Sequence, residues 1–223
     1  MSDCVAIVSG GMDSVTLLHY LVKVAKRRPA VISFSYGQKH IKEVSLAQEN
    51  AAILECTDHL LCDISTMQDL FQTSALVAKD LNVPTIDAVQ GDSQPITYVP
   101  NRNMIFLALA AAYAESHDAT EVFYGAQRHD LYGYWDTTPD FLSRLNDVFA
   151  LNRKTAIRIE APFVNYSKAD ILRQGLEIGV DYSKTWSCYE GLSLACGICP
   201  TCAERLAAFT EIGIADPIPY DRH

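Results

Sequence analysis

Val5-Ala6-Ile7-Val8-Ser9-Gly10-Gly11-Met12-Asp13-Ser14 decides how the rest of the chain is read. Val5 to Val8 is a short apolar run of the kind that forms a buried parallel strand. From Val15 to Val22 apolar residues recur at helical spacing, so the paired glycines fall in a strand-to-helix turn. Gly10 and Gly11 let the backbone approach an anion closely, and the free N–H groups of the next helix's first turn point at that anion. Ser9 and Ser14 add hydroxyl donors, and Met12 completes the turn. A carboxylate beside phosphates is repulsive unless a cation lies between them, which assigns Asp13 to Mg²⁺. No Lys follows the glycines as in a Walker A loop, and G-x-G-x-x-G is absent. An ordinary serine-capped Gly-Gly turn is the bland alternative, and the position between strand and helix favours the phosphate-gripping one.

Further strand signals at Ala30 to Phe34, His59 to Cys62, Glu121 to Tyr124 and Ile157 to Ile159 alternate with helical patterns. The expected fold class is α/β, a doubly wound parallel five-stranded sheet with helices on both faces and ligands at the carboxyl ends of the strands. Residues 1–160 read as the nucleotide-binding α/β domain and 161–223 as a small C-terminal helical, metal-binding region. Residues 73–100, with Pro84, Gly91, Pro95 and Pro100, form a long irregular connection that reads as a lid, an interface or a decorated surface loop.

Composition narrows the function. A formal charge of -9 disfavours a large nucleic-acid footprint, which needs clustered Lys and Arg, and favours a small-molecule substrate. No run approaches the ~18 apolar residues of a membrane span, and the N-terminus carries neither signal nor transit pattern, so a soluble cytoplasmic protein is expected. Seven cysteines in such a chain argue against a disulfide framework. Cys188, Cys196, Cys199 and Cys202, spaced C-x7-C-x2-C-x2-C, suit a closed tetrahedral Zn²⁺ site with a structural role. An iron–sulfur cluster is the other ligand that four thiolates hold.

Four more segments could carry chemistry. Tyr36-Gly37-Gln38-Lys39-His40 follows the second strand, with Tyr36 offering a stacking face and Gln38 a donor and acceptor for a heterocycle. His40 alone reads as a surface residue at a helix start. Val99-Pro100-Asn101-Arg102-Asn103 leads into a helix, with Asn101 as its cap and Arg102 placed to meet a phosphate. Gly125 to Phe141 is dense in aromatic, acidic and glycine residues, as a loop recognising a flat polar ring would be, with Asp130 or Asp136 accepting ring N–H groups. The same segment could be an aromatic dimer contact. Ser167-Lys168-Ala169-Asp170 opens an amphipathic helix, and the dipole disfavours a cation there unless Lys168 serves a ligand.

Ser-Gly-Gly-x-Asp-Ser resembles the PP-loop of the ATP pyrophosphatase superfamily, whose members adenylate an oxygen and release pyrophosphate. The ordered set of that loop, Tyr36 to His40, Val99 to Asn103, Gly133-Tyr134 with Asp136, Lys168 and the cysteine quartet resembles the 7-cyano-7-deazaguanine synthase family over nearly the whole length. The resemblance implies that ATP adenylates 7-carboxy-7-deazaguanine, ammonia gives the amide, and a second ATP drives dehydration to the nitrile. It also implies a zinc-containing homodimer. Ser9 to Ser14 would bind ATP and Arg102 and Lys168 would stabilise the leaving pyrophosphate, while Tyr36, Gln38, His40, Asp130, Tyr134 and Asp136 would face the base. The chain departs from the family's Gly-Tyr-Pro-Asp-Cys-Arg at Trp135, Thr137 and Thr138, and from Val-Pro-Gly-Arg-Asn at Asn101. Three alternatives stand beside this: a variant that stops at the amide or joins the base to another amine, a tRNA-modifying PP-loop enzyme, and a catalytically idle nucleotide-binding module.

Overall fold

The computed structural model describes residues 2–39, 42–92, 94–128, 134–191 and 193–221. Five parallel strands, β1 (Cys4–Ile7), β2 (Pro29–Ser35), β3 (His59–Asp63), β4 (Glu121–Phe123) and β5 (Arg158–Glu160), form one sheet in the order β3-β2-β1-β4-β5. The helices are α1 (Met12–Lys23), α2 (Lys42–Ile53), the single turn α3 (Ile86–Val89), α4 (Arg102–Ser116), α5 (Pro139–Phe149), α6 (Lys168–Glu177) and α7 (Pro200–Glu211). The doubly wound α/β expectation holds.

Period-two alternation divides the sheet's side chains between two cores. Val5, Ile32 and Val122 face α4 and α5, packing with Leu107, Ala110, Phe141 and Leu145. Their neighbours Ala6, Val31 and Phe123 face α1, α2, α6 and α7, packing with Leu17, Ala47, Ile171 and Phe209. Residues after β5 thus share a core with α1.

The order of the strands places the site. The chain winds outward from β1 to β3, then crosses back so that β4 pairs with β1 on its other side, Val5 opposite Val122 and Ala6 opposite Phe123. The loops leaving β1 and β4 therefore part in opposite directions and leave a crevice at the sheet's carboxyl edge. The connection 73–100 is no plain surface loop. Ala75, Val77, Ala78, Val89 and Val99 are buried, and Ile86 N–H donates to the Ile198 carbonyl at 3.2 Å, tying this segment to the cysteine region. Among the described residues no helix is long and apolar enough to cross a membrane.

Candidate active site

A cleft of about 260 Å³ opens over the carboxyl ends of β1, β2 and β4. Ser9, Gly11, Met12, Asp13 and Ser14 line one wall, Tyr36, Gln38 and Arg102 another, and Tyr134 and Lys168 also reach it. The structure thus gathers residues from five distant segments. His40 and Asp130 lie outside the described residues.

The β1–α1 turn is held by its own hydrogen bonds. Ser14 Oγ accepts from Ser9 N–H and donates to the Gly11 carbonyl, both at 3.1 Å, and Gly11 N–H donates to Ser9 Oγ at 3.2 Å. The serines therefore shape the loop as well as offering donors. Gly10 has φ +95°, and a Cβ there would lie 1.9 Å from the Glu43 carbonyl oxygen, so only glycine lets the loop press on α2. Gly125 plays the matching part after β4, since a Cβ would meet Ser14 N at 3.2 Å.

Lys168 Nζ stands 2.9 Å from Asp13 Oδ2 and 3.6 Å from Glu204 Oε2, all three side chains largely buried. Burial works against the ammonium, but the Asp13 and Glu204 carboxylates outweigh it and hold the Lys168 pKa above the ordinary lysine value. Ser167 caps α6 in a reciprocal box with Asp170, which fixes the first turn that carries Lys168. Asp13 Oδ1 is buried with no hydrogen-bond partner. An unsatisfied buried carboxylate oxygen at the start of α1 fits a hard divalent cation.

Arg102 Nη1 donates to Tyr36 Oη at 3.2 Å, and the guanidinium lies 5.7 Å from the centre of the Tyr36 ring. Asn101 occupies the position before α4, but its side chain makes no cap bond; its φ is +52°. The sequence expectation of an Asn cap is corrected: Asn stands there because it tolerates left-handed backbone better than other non-glycine residues. Gln38 lines the cleft while its amide also braces the turn after β2: its Oε1 accepts from Tyr36 N–H at 2.8 Å and its Nε2 donates to the Phe34 carbonyl at 3.3 Å.

The β4 side holds a different set. Tyr134 lines the cleft and its hydroxyl pairs with Thr97 Oγ1 at 2.8 Å. Asp136 is 2% exposed and sits behind the lining residues, its pKa raised by burial with Arg102 opposing. Thr138 caps α5 by accepting from Phe141 N–H at 3.2 Å. Sequence reading missed several lining residues: Glu43, Tyr124, Gln127 and Glu204. Glu43 titrates at about 8, pushed up by burial and only partly offset by Arg102. Gln127 lay within the segment singled out, and Glu204 two positions after Cys202, but no motif marked either.

The cysteine quartet closes beside this cleft. All four Sγ atoms lie within 4.8 Å of one another and all four residues are buried. Cys196 N–H donates to Cys188 Sγ at 3.3 Å and Cys199 N–H to Cys196 Sγ at 3.4 Å, bonds that stabilise thiolates. Such a donor set fits one metal ion with no open position. Cys199 precedes α7, and Trp186, Ser187 and Thr201, which flank the cysteines in sequence, line the cleft.

The fold and the cleft together define a PP-loop-like α/β protein whose C-terminal region carries four clustered cysteines able to hold a metal ion. The chain is similar in fold to NMN synthetase from Francisella tularensis, with a TM-score of 0.52 at 14% identity, covering 96% of this chain and 79% of that one. The family model for "Queuosine biosynthesis protein QueC" matches residues 3–213. Proteins named 7-cyano-7-deazaguanine synthase from Caldicellulosiruptor bescii and Psychromonas ingrahamii are 45% and 43% identical to it, over 97% of this chain and 96% and 97% of theirs. The chain belongs to the QueC family.

Proposed function

We propose that the protein converts 7-carboxy-7-deazaguanine and ammonia to 7-cyano-7-deazaguanine at the expense of ATP, as a C–N ligase working through an acyl adenylate and an amide. The observation that carries this reading is the convergence, in a QueC-family chain, of Ser9 to Ser14, Asp13, Arg102 and Lys168 on one cleft. The backbone N–H groups opening α1 receive the ATP phosphates, and Asp13 holds Mg²⁺ with its unpartnered Oδ1. Lys168 and Arg102, from different walls, neutralise charge developing on the departing pyrophosphate. An acyl adenylate needs no protein nucleophile, so positioning and electrostatics suffice. Among the described lining residues there is no cysteine that could relay sulfur, and with the charge of -9 this sets the tRNA-thiolating reading aside.

Cys188, Cys196, Cys199 and Cys202 would hold Zn²⁺, which would anchor the start of α7 and hence Glu204 beside Lys168. A homodimer belongs to the same proposal. The second reading, a variant that stops at the amide, rests on the altered loop at Trp135, Thr137 and Thr138. Incubating the zinc-loaded protein with 7-carboxy-7-deazaguanine, Mg·ATP and ammonium and weighing the base product by mass spectrometry separates the two. Nitrile is the expected product; amide alone selects the variant, and unchanged acid without AMP defeats both.

A further inference from the structure

Three side-chain amides line the cleft, and the chain uses two of them. Gln38 clamps the β2 turn, and Asn103 Nδ2 donates to the Asp136 carbonyl at 3.5 Å. The third, Gln127, makes no hydrogen bond among the described residues; it is 5% exposed and its Oε1 is buried without a partner. Three positions earlier, Tyr124 is 6% exposed and its hydroxyl is likewise buried and unpartnered. Both line the cleft on the turn leaving β4, which lies directly against the glycine turn of Ser9 to Ser14. Buried polar groups left unsatisfied by the fold are rare and costly, and here two face one cavity.

We infer that Tyr124 and Gln127 are the base-reading pair of the cleft, binding the lactam edge of a fused purine-like ring. A primary amide carries an acceptor and a donor in one plane, which matches the adjacent N–H and C=O of a lactam. The Tyr124 hydroxyl both donates and accepts, and burial, reinforced by Asp136, raises its pKa so that it stays protonated. Gly125, between the two, brings their turn against Ser14, so a base held here faces the nucleotide's phosphates. This assigns recognition to residues on the sheet edge in place of Gln38, and it rests on the reaction proposed above.

The test is steady-state kinetics on the full-length zinc-loaded protein and its Tyr124→Phe and Gln127→Ala variants, varying 7-carboxy-7-deazaguanine and ATP separately. Each variant is expected to raise KM for the base about tenfold or more, the effect of one lost hydrogen bond, and to leave KM for ATP within about twofold. An analogue of the base without the lactam oxygen should bind the wild type more weakly and lose nothing further in Gln127→Ala. A base KM that stays put overturns the pairing, as does a parallel rise in both KM values, which a merely structural role would give. Tyr124→Phe keeps the ring and guards against misfolding, checked by its melting temperature. If the wild type itself leaves the acid untouched, the reaction is wrong and the inference falls with it; a working wild type with indifferent variants sinks the inference alone.

Discussion

Arg205 and Lys168 are buried cations on neighbouring helices, α7 and α6, and the fold finishes them in opposite ways. Arg205 is fully enclosed: it grips both oxygens of Asp216 at 2.6 and 2.9 Å, donates to Thr185 Oγ1 at 2.7 Å and reaches the Tyr182 carbonyl at 3.0 Å. Asp216 is in turn held by Tyr220 Oη at 2.6 Å. Lys168 faces the cleft, with Asp13 at 2.9 Å, and that carboxylate keeps an unpartnered oxygen. The closed network can only hold the C-terminal region together. The open one has spare valence for a ligand, and this difference separates scaffold from site more clearly than charge or burial does.

The comparison breaks most visibly at the cysteine quartet, which belongs to the closed side. Stripping the metal with a chelator, or Cys199→Ser, should lower the melting temperature by about 10 °C or more and expose the segment after Trp186 to protease, because structural zinc energy is folding energy. A melting curve indifferent to chelation would remove the structural metal.

Arg205→Met and Asp13→Asn sharpen the contrast as a pair. The first strands the Asp216 carboxylate in the core and should cost roughly 3–5 kcal/mol in denaturant unfolding. The second should cut AMP release by about 10²–10³-fold while stability moves by less than about 1 kcal/mol, since Lys168 retains Glu204. Equal stability losses in the two would erase the distinction drawn above.

Glu43 adds a pH dependence. Its carboxyl is raised from 4.5 to about 8, so the folded protein holds more protons than the unfolded chain across that window. Its contribution to stability is full below about 4.5 and is lost as pH rises through about 8. Melting temperatures of the ligand-free Glu43→Gln variant should therefore gain on the wild type as pH climbs from 5 to 8. Parallel curves would show that Glu43 carries its charge at ordinary cost.

Local chemistry was legible wherever it is written over a few neighbouring residues. The strand-turn-helix of Val5 to Val22, the helix opened at Ser167 and the clustering of the C-x7-C-x2-C-x2-C cysteines all appear as expected. Roles tied to the backbone were not legible: the Gln38 amide braces the turn after β2, and Asn101 opens α4 through its left-handed backbone with no side-chain cap bond. Glu204, Glu43 and Gln127 carried no pattern, because a lone acid or amide acquires meaning only from what it faces.

The sequence alone determined the sheet's parallel character, the glycine turn between β1 and α1 and the clustering of four thiols, since each follows from short-range periodicity, backbone freedom or spacing. The tertiary structure decided which polar groups remain unspent. That depends on strand order bringing β4 beside β1 and on α7 reaching Lys168, contacts between residues far apart in the chain whose hydrogen-bond balance no local pattern encodes.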